Sequence, residues 1–355
     1  MTATMRGLVL AAVGDVQLRD VPAPRVEEPT DAVVAVRRAG LCGSDLHPYE
    51  GRERVRFGVV CGHEAVGVVV AVGSAVRRIA VGDRVVVPFT TSCGSCRLCR
   101  TGLSSRCVRG QLFGYGPPDR PDVPALQGAQ AERLRVPLAD TTLVPVPAGL
   151  DDVDALLLAD NLPTGWYAVA RAEVAAGAPL VVLGLGAVGL CAVVAAMARG
   201  ADPVIAVDVL ADRRERATAL GARAAAPEEC AELVRSLAPD GVTAVVDAAG
   251  SAAAQALGLE LLRPGGTLST IAVPTRDRFG FSPAAAYDVN ATIRIGRAPV
   301  RSLLDELLSA ATGGTLRIPG EVVVTHPAVP LADGPAAYRR AAAREPGLVK
   351  VAFQP

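Results

Sequence analysis

The sequence predicts an α/β protein in which β-rich segments flank a doubly wound parallel sheet. Residues 1–150 carry short β-branched runs separated by glycine and proline, which is typical of a compact β unit. Between residues 151 and 295, alanine-rich helical stretches alternate with buried-strand runs, the pattern of βαβ units. Residues 296–355 return to short strands and one helix. At 355 residues the chain is long enough for two domains with separate cores.

The individual elements follow from local patterns. In the first part, strands are predicted over Val33–Val36, Ala65–Val72, Arg84–Val87 and Val144–Val146. The second part predicts strands over Leu180–Leu183, Val204–Val207, Val242–Val246 and Thr267–Val273, with a helix over Leu190–Arg199. The last part predicts a helix over Ser302–Ala311 and a strand over Leu348–Phe353, and the prolines of Pro117–Pro121 indicate a surface loop.

Composition excludes several classes of protein. With 36 basic and 36 acidic residues the formal net charge is zero, which argues against a nucleic-acid or membrane-surface partner. No apolar run reaches the roughly 18 to 20 residues that a membrane span needs. We therefore expect a cytoplasmic protein. In that compartment eight cysteines favour metal or redox chemistry over disulfides.

Four of these cysteines lie in one short segment, residues 93–107, which we call the cysteine loop. Two Cys-x2-Cys steps and one Cys-x7-Cys step place Cys93, Cys96, Cys99 and Cys107 where their sulfurs can reach one metal ion. Four thiolates around Zn²⁺ form a closed tetrahedral shell, which is typical of structural rather than catalytic zinc. We expect this lobe to span about residues 88–110.

A glycine motif indicates a dinucleotide site. Gly184, Gly186 and Gly189 follow the buried strand Leu180–Leu183 and open a helix, so the backbone around Ala187 and Val188 can receive a pyrophosphate. Asp208 ends the next strand, where its carboxylate can accept the ribose hydroxyls and repel a 2′-phosphate. These observations favour NAD. Arg213 and Arg214 leave NADP open, because arginines after that strand can bind a 2′-phosphate.

A second set of metal-ligand residues has a different composition. Cys42 lies in the segment Gly40–His47, and His63 lies between Gly62 and Glu64. The chain has three histidines, and two of them fall in these two segments. A thiolate and an imidazole leave room for a carboxylate ligand and an exchangeable water, and such an open shell suits Lewis-acid catalysis.

Together, these motifs resemble those of the zinc-dependent medium-chain alcohol dehydrogenases, in the order found in that family. The resemblance covers essentially the whole chain. It implies a GroES-like catalytic domain (1–150 and 296–355) interrupted by a Rossmann domain (151–295), with the active site in the cleft between them. It further implies two zinc ions per subunit and a homodimer or homotetramer.

The resemblance also implies roles for individual residues. Cys42 and His63 match the first two ligands of the catalytic zinc, and Asp160 occupies the variable third position, which resembles the Asp-ligated branch. Glu64 lies close to the metal in the family, Asp45 orients the histidine ligand, and Thr164 lies beside the nicotinamide ring. Ser44 is expected to accept the substrate proton, which then passes through the nicotinamide ribose to His47. Another interpretation is that His47 only binds ribose or phosphate.

The resemblance implies that the substrate is an alcohol or aldehyde. Phe89 matches a family pocket position, and Tyr49 and Trp166 are further pocket candidates, although each aromatic side chain can equally be ordinary packing. The leading hypothesis is reversible oxidation of a primary, secondary or polyol hydroxyl by NAD. A dismutase with tightly held NAD is the related alternative. A non-enzymatic zinc-binding module would explain the cysteine loop but neither Cys42 and His63 nor the glycine motif.

Overall fold

The computed structural model describes residues 3–119 and 122–355. Contacts between Cα atoms divide the chain into two compact units. The first unit runs to Asp160 and includes Pro299–Thr312 and Val324–Pro355. The second unit comprises Asn161–Ala298 and Gly313–Val323.

The strands, in chain order, are β1 (Thr4–Ala12), β2 (Asp15–Pro22), β3 (Ala32–Leu41), β4 (Ala65–Val72), β5 (Arg84–Val87), β6 (Arg133–Val136), β7 (Val144–Pro145), β8 (Leu180–Leu183), β9 (Val204–Val207), β10 (Arg223–Ala225), β11 (Val242–Asp247), β12 (Leu262–Thr270), β13 (Thr292–Ile295), β14 (His326–Pro330) and β15 (Val351–Gln354).

The α-helices are α1 (Leu46–Tyr49), α2 (Arg97–Arg100), α3 (Ala139–Thr142), α4 (Asp152–Leu157), α5 (Asn161–Ala172), α6 (Ala187–Ala198), α7 (Ala211–Ala219), α8 (Pro227–Leu237), α9 (Ala252–Glu260), α10 (Pro283–Asp288), α11 (Val300–Thr312), α12 (Gly320–Val323) and α13 (Gly334–Ala342). Three short 3₁₀ helices cover Gly43–Asp45, Ser104–Arg106 and Leu331–Asp333. Within the described residues, no helix is long and apolar enough to cross a membrane.

The first unit is built on a mixed sheet that is antiparallel apart from one strand pair. Within the described residues the order is β14-β15-β3-β4-β5-β7, and β6 pairs with β3. Strands β14 and β15 are parallel, and β15 joins this sheet by pairing antiparallel with β3. The strands β1 and β2 form a separate hairpin. Side chains of both sheets and of α13 share one hydrophobic core, which includes Leu8, Val34, Leu134 and Tyr338.

The second unit is a parallel sheet with the order β10-β9-β8-β11-β12-β13 among the described residues. All four residues of β8 and all four of β9 are buried, as expected for central strands that are covered on both faces. Helix α5 packs closely on α6 at Gly165, where a Cβ atom would lie 2.6 Å from the backbone nitrogen of Ala192.

The unit boundaries differ from the expected domain boundaries of 150 and 295. Helix α4 packs against β3 and β4, so its residues and the following segment to Asp160 belong to the first unit. The return to the first unit begins at Pro299, and Gly313–Val323 belongs to the second unit because α12 packs on α6. The sequence indicates where helices begin but not which sheet they pack against. The expected boundaries therefore differ from the observed ones at α4 and α12.

Most predicted strands and helices coincide with observed ones. The bounds of β4, β5, β8 and β9 are those predicted. Helix α6 begins three residues before the predicted Leu190, at Ala187, directly after the glycine turn. Strand β12 begins at Leu262 and ends at Thr270, whereas the prediction was Thr267–Val273. Part of the predicted surface loop Pro117–Pro121 lies outside the described residues.

Candidate active site

The structure brings Cys42, His63, Glu64 and Asp160 into one cluster, which we call the open site. One ligand atom from each residue lies within 4.8 Å of the others. The Sγ atom of Cys42 is 3.5 Å from Oδ2 of Asp160, and Nε2 of His63 is 3.6 Å from the same oxygen. All four residues belong to the first unit. Segments far apart in sequence therefore meet at this cluster.

These distances fit a tetrahedral zinc ion. Zn–S bonds of about 2.3 Å and Zn–N or Zn–O bonds of about 2.0–2.2 Å place ligand atoms about 3.4–3.6 Å from one another. The separations of Asp160 from Cys42 and His63, 3.5 and 3.6 Å, match this range. One thiol, one imidazole and one carboxylate also form a donor set that Zn²⁺ prefers. The chemistry and the spacing of the open site therefore both suit zinc.

A local capping arrangement positions Cys42. The backbone nitrogen of Cys42 donates to Oδ2 of Asp45 at 2.9 Å, and the backbone nitrogen of Asp45 donates to the carbonyl of Cys42 at 3.0 Å. The other carboxylate oxygen of Asp45 lies 3.1 Å from Nδ1 of His63. Because a carboxylate accepts, Nδ1 carries the ring proton and Nε2 is left to face the cluster.

The open site has more negative than positive charge. Burial, with Asp160 and Glu64 nearby, raises the pKa of the Cys42 thiol. Burial disfavours a charged imidazole, but Asp45, Asp160 and Cys42 together raise the pKa of His63 well above its ordinary value. Both shifts indicate that the buried acidic groups need a cation to stay ionised. A divalent ion at this position would supply that charge.

Lys350 is the buried cation next to this cluster, and sequence reasoning did not assign it a role. Its Nζ atom lies 2.5 Å from Oε2 of Glu64, and both side chains are 0% exposed. Burial favours the neutral amine, but the charges of Glu64 and Cys42 raise the pKa of Lys350 above its ordinary value. The chain contains no other lysine. A search for buried unpaired charges in the predicted strand Leu348–Phe353 could have drawn attention to it.

Ser44 and His47 lie on the segment that follows Cys42. The Ser44 hydroxyl is 3.4 Å from Nε2 of His63, which places it beside the open site. His47 lies in α1 and is half-buried. Its burial, and next the charge of Arg52, lower the pKa of His47 below its ordinary value. A neutral imidazole that can accept a proton is therefore the form favoured near neutral pH.

The predicted pocket residues have different surroundings. The Phe89 ring meets the His63 ring edge-on at a centroid distance of 6.2 Å, so it lies next to the open site. Tyr49 packs 5.4 Å from Tyr338 within the hydrophobic core of the first unit, which does not support a pocket role. In the second unit, the guanidinium of Arg199 lies 5.1 Å from the centroid of the Trp166 ring. Thr164 is buried on α5 of the same unit.

The cysteine loop forms the second cluster. The four sulfurs lie within 4.8 Å of one another, and those of Cys96 and Cys107 are 4.0 Å apart. Sulfurs around a tetrahedral zinc lie about 3.8 Å apart. Cys96 caps the N-terminus of α2, and its sulfur accepts from the backbone nitrogen of Cys99 at 3.5 Å. This geometry fits a closed shell of four sulfurs.

Backbone N–H groups surround these sulfurs. The nitrogens of Cys96 and Arg109 donate to the sulfurs of Cys93 and Cys107, both at 3.4 Å. Burial opposes the charged form of Cys93, but N–H groups of Ser95 and Cys96 and the Ser95 hydroxyl hold the pKa of this thiol at about 6. N–H donors thus stabilise a thiolate before a metal binds.

The glycine motif adopts the expected strand–turn–helix form. Gly184 has φ of +87°, and a Cβ atom there would lie 2.9 Å from backbone atoms of Ala249. A Cβ atom on Gly189 would lie 1.8 Å from the carbonyl oxygen of Gly184, so α6 can pack on the turn only with glycine at that position. The space above Gly186 is open up to NH1 of Arg213 at 3.9 Å. The motif residues Ala187 and Val188 form the first turn of α6.

Two family models match the chain. The model for the alcohol dehydrogenase GroES-like domain matches residues 28–148, and the model for zinc-binding dehydrogenases matches residues 187–302. A protein of Mycobacterium tuberculosis named as a probable zinc-binding alcohol dehydrogenase is 37% identical over 352 residues. That alignment covers 99% of this chain and 89% of the relative.

Solved structures agree with these matches. The alcohol dehydrogenase from Thermus sp. ATN1 is 38% identical, with a TM-score of 0.89 and 99% of both chains covered. A zinc-binding dehydrogenase from Sinorhizobium meliloti, bound to NADP, is 27% identical, with a TM-score of 0.84 and 100% of both chains covered. The predicted fold class, a GroES-like β-rich domain with a Rossmann sheet, is confirmed.

Proposed function

Because the chain belongs to the zinc-dependent alcohol dehydrogenase family of medium-chain dehydrogenases, we propose that it oxidises an alcohol reversibly to an aldehyde or ketone with NAD. The observation that carries this proposal is the open site, where Asp160 lies 3.5 Å from Cys42 and 3.6 Å from His63. Zinc bound by these three residues would supply Lewis-acid chemistry that lowers the pKa of an alcohol. Hydride transfer to nicotinamide is the cofactor's own chemistry.

The surrounding residues have separate tasks in this proposal. Asp45 keeps His63 in the tautomer whose Nε2 can bind metal. The Ser44 hydroxyl lies beside His63 and is the group we assign to accept the substrate proton. His47 would take that proton next, by way of the nicotinamide ribose, since its lowered pKa favours the neutral imidazole. Glu64 is a fourth residue of the cluster and would place a further carboxylate close to the metal.

We assign a second, structural zinc ion to the cysteine loop. Its support is the cluster of four sulfurs and the N–H groups that donate to them. A closed shell of four thiolates leaves no position for a substrate. The loop therefore takes no part in the reaction, and its task is to hold its own lobe in shape.

For the cofactor we infer NAD rather than NADP. The oxygens of Asp208 accept from the backbone nitrogens of Leu185 at 2.7 Å and Leu210 at 2.9 Å, which fixes its carboxylate at the end of β9. A carboxylate there favours free ribose hydroxyls and repels a 2′-phosphate. Arg213, 3.8 Å from Asp208, is the residue that could instead receive this phosphate. The NADP bound to the Sinorhizobium meliloti relative makes this choice worth testing.

Asp208→Gly tests the cofactor assignment. We expect the preference for NAD over NADP, measured as the ratio of kcat/KM values, to fall by roughly 10- to 100-fold, the worth of hydrogen bonds to a charged group. Asp212→Asn removes a carboxylate from the next helix and serves as the control, with an unchanged ratio. An unchanged ratio in the Asp208 variant would remove this carboxylate from cofactor recognition.

Substrate contacts, assembly and location complete the proposal. Phe89 is the pocket candidate best supported, because its ring meets His63.

We infer a homodimer or homotetramer, and the outer strand β13, which pairs only with β12 among the described residues, offers one sheet edge for association. All eight cysteines are free thiols in the structure, which suits a reducing cytoplasm.

Purified protein with a panel of alcohols, polyols and aldehydes tests the activity. We expect alcohol-dependent formation of free NADH, followed by its absorbance, and its loss in Cys42→Ser. Conversion of aldehyde without free NADH, with nucleotide retained through purification, would instead indicate a dismutase. No turnover of any substrate by protein that contains metal at both clusters would contradict the proposal.

A further inference from the structure

We propose that Gln130 and Tyr338 are positioning residues for the open site, which act on His63 through a buried hydrogen-bond relay. The relay runs from the Tyr338 hydroxyl through the Gln130 amide to the Asp45 carboxylate. This inference rests on the proposed function, because it concerns the zinc ion assigned to the open site. The relay residues all belong to the first unit.

The relay ends at Asp45, whose two carboxylate oxygens have different partners. Oδ1 lies 3.1 Å from Nδ1 of His63. Oδ2 accepts from the backbone nitrogen of Cys42 at 2.9 Å and lies 3.4 Å from Nε2 of Gln130. The carboxylate plane is therefore held on one side by a backbone group and by Gln130. Rotation of this plane would turn the imidazole that binds the metal.

The partners of Gln130 fix the orientation of its amide. Nε2 donates to the carbonyl of Gly40 at 2.9 Å and faces the Asp45 carboxylate, and both of these partners can only accept. The amide oxygen therefore faces the Tyr338 hydroxyl, which donates to it at 2.8 Å. Gln130 is fully buried. A flipped amide would place oxygen against oxygen in the core, which costs a buried polar group its partner.

Tyr338 supplies the outer end of the relay from α13. Burial raises the pKa of the Tyr338 phenol well above its ordinary value, so its hydroxyl remains a donor. The Cys61 thiol next to it also contacts the hydroxyl. The Tyr338 hydroxyl thus donates to Gln130, and the Gln130 amide donates to the Asp45 carboxylate. Such directed networks hold their members more rigidly than isolated pairs.

Gln130 also packs tightly against the segment that carries His63. Gly62 has φ of +86°, and a Cβ atom there would lie 2.5 Å from Cγ of Gln130. The backbone nitrogen of Gln130 donates to the carbonyl of Cys61 at 2.9 Å. Side chain and backbone of Gln130 therefore both touch the residues directly before His63. This second contact supports a positioning role rather than general core filling.

The test compares Tyr338→Phe, Gln130→Met and the double variant. Each keeps the side-chain volume and removes hydrogen bonds of the relay. The readouts are release of zinc from the open site to a chromogenic chelator and the absorption spectrum after exchange of that zinc for Co²⁺. Loss of the carboxylate that holds a metal-binding histidine changes metal affinity about 10- to 100-fold. Gln130 and Tyr338 hold that carboxylate and do not contact His63 themselves through the relay, so we expect a smaller effect, a roughly three- to ten-fold faster release of zinc. Asp160→Ala identifies which release phase belongs to the open site.

The double variant tests whether Tyr338 acts only through Gln130. In the Gln130→Met background, Tyr338→Phe should add nothing, because the relay is already broken. Tyr49→Phe is the matched control, since its ring packs 5.4 Å from Tyr338 and its hydroxyl lies outside the relay. We expect its zinc release and Co²⁺ spectrum to equal those of the unmodified protein.

Three results would overturn the relay and leave the proposed function intact. These are unchanged release in both single variants that hold two zinc ions, effects that multiply in the double variant, or equal acceleration in the Tyr49 control. Unmodified protein that binds only the zinc of the cysteine loop would overturn the proposed function together with the relay.

Discussion

The cysteine loop and the open site use related ligands in opposite ways. The loop takes four sulfurs from residues 93–107, and backbone N–H groups of the same segment donate to them. The open site combines residues from Cys42 to Asp160, and burial, with the charges of Asp160 and Glu64, raises the pKa of the Cys42 thiol. Within the loop, despite burial, N–H donors lower the pKa of Cys93 to about 6, whereas burial and the neighbouring thiols raise that of Cys99 to about 12. The loop thus supplies donors from its own segment, whereas the open site draws its charged groups from segments far apart in sequence.

This difference predicts separate consequences for the two clusters. Loss of a loop ligand should affect the stability of its lobe, because the shell is closed and self-contained. Loss of an open-site ligand should affect turnover, because the shell leaves room for a substrate. Loss of the charge that balances Glu64 should affect folding of the whole first unit, because the pair is fully buried.

Asp160→Ala is the variant with the largest expected effect. Without this carboxylate the open site loses one of three ligands and holds zinc weakly, so we expect kcat/KM to fall at least about 1000-fold. The melting temperature should change little, because Asp160 contributes a buried polar side chain to the open site and not an apolar one to the hydrophobic core. Asp154→Ala, on the preceding helix α4, is the control. A metal-replete, active Asp160 variant would remove this residue from the ligand set.

Lys350→Met tests whether the buried ion pair with Glu64 stabilises the first unit. The substitution leaves Glu64 buried without its cation, so we expect the free energy of unfolding to fall by about 3–5 kcal/mol. Denaturant titration of the zinc-loaded protein measures this loss. In Glu64→Gln/Lys350→Met the carboxylate is also absent, and most of the stability should return. Equal losses in the single and double variants would show that the ion pair is not the cause.

Cys99→Ser tests whether the cysteine loop is self-contained. The loop then lacks one thiolate, and we expect loss of its zinc with a fall in stability of about 2–4 kcal/mol, similar to loss of a chain cross-link. Turnover per folded molecule should stay within about two-fold. Cys230→Ser, at a buried thiol of α8, is the matched control with an unchanged zinc content. A stable, fully metal-loaded Cys99 variant would contradict a structural role for the loop.

The parts that sequence predicts best are those encoded locally. The bounds of β4, β5, β8 and β9 follow from short apolar runs, and the cysteine loop and the glycine turn follow from spacing within a few residues. The predicted ligands Cys42, His63 and Asp160 do meet. The residue types of Cys42 and His63 indicated a metal site, but the choice of Asp160 came from resemblance to a family.

The supporting residues could not be predicted, because they act across the fold. Tyr338 reaches Gln130 over a separation of 208 residues, and Lys350, directly before β15, reaches Glu64. A glutamine beside apolar residues carries no local signal of a partner. Tyr49 shows that closeness in sequence can also mislead. This aromatic residue lies near Cys42 in sequence and was a pocket candidate, but its side chain lies in the hydrophobic core.

Zinc content of three proteins tests the central claim most directly. Metal analysis after gel filtration should give two zinc ions per chain in the unmodified protein and one in each of Asp160→Ala and Cys99→Ser. The Asp160 variant should lack activity, and the Cys99 variant should retain it. Two zinc ions in the Asp160 variant, or loss of both ions in either variant, would contradict two independent metal sites with separate tasks.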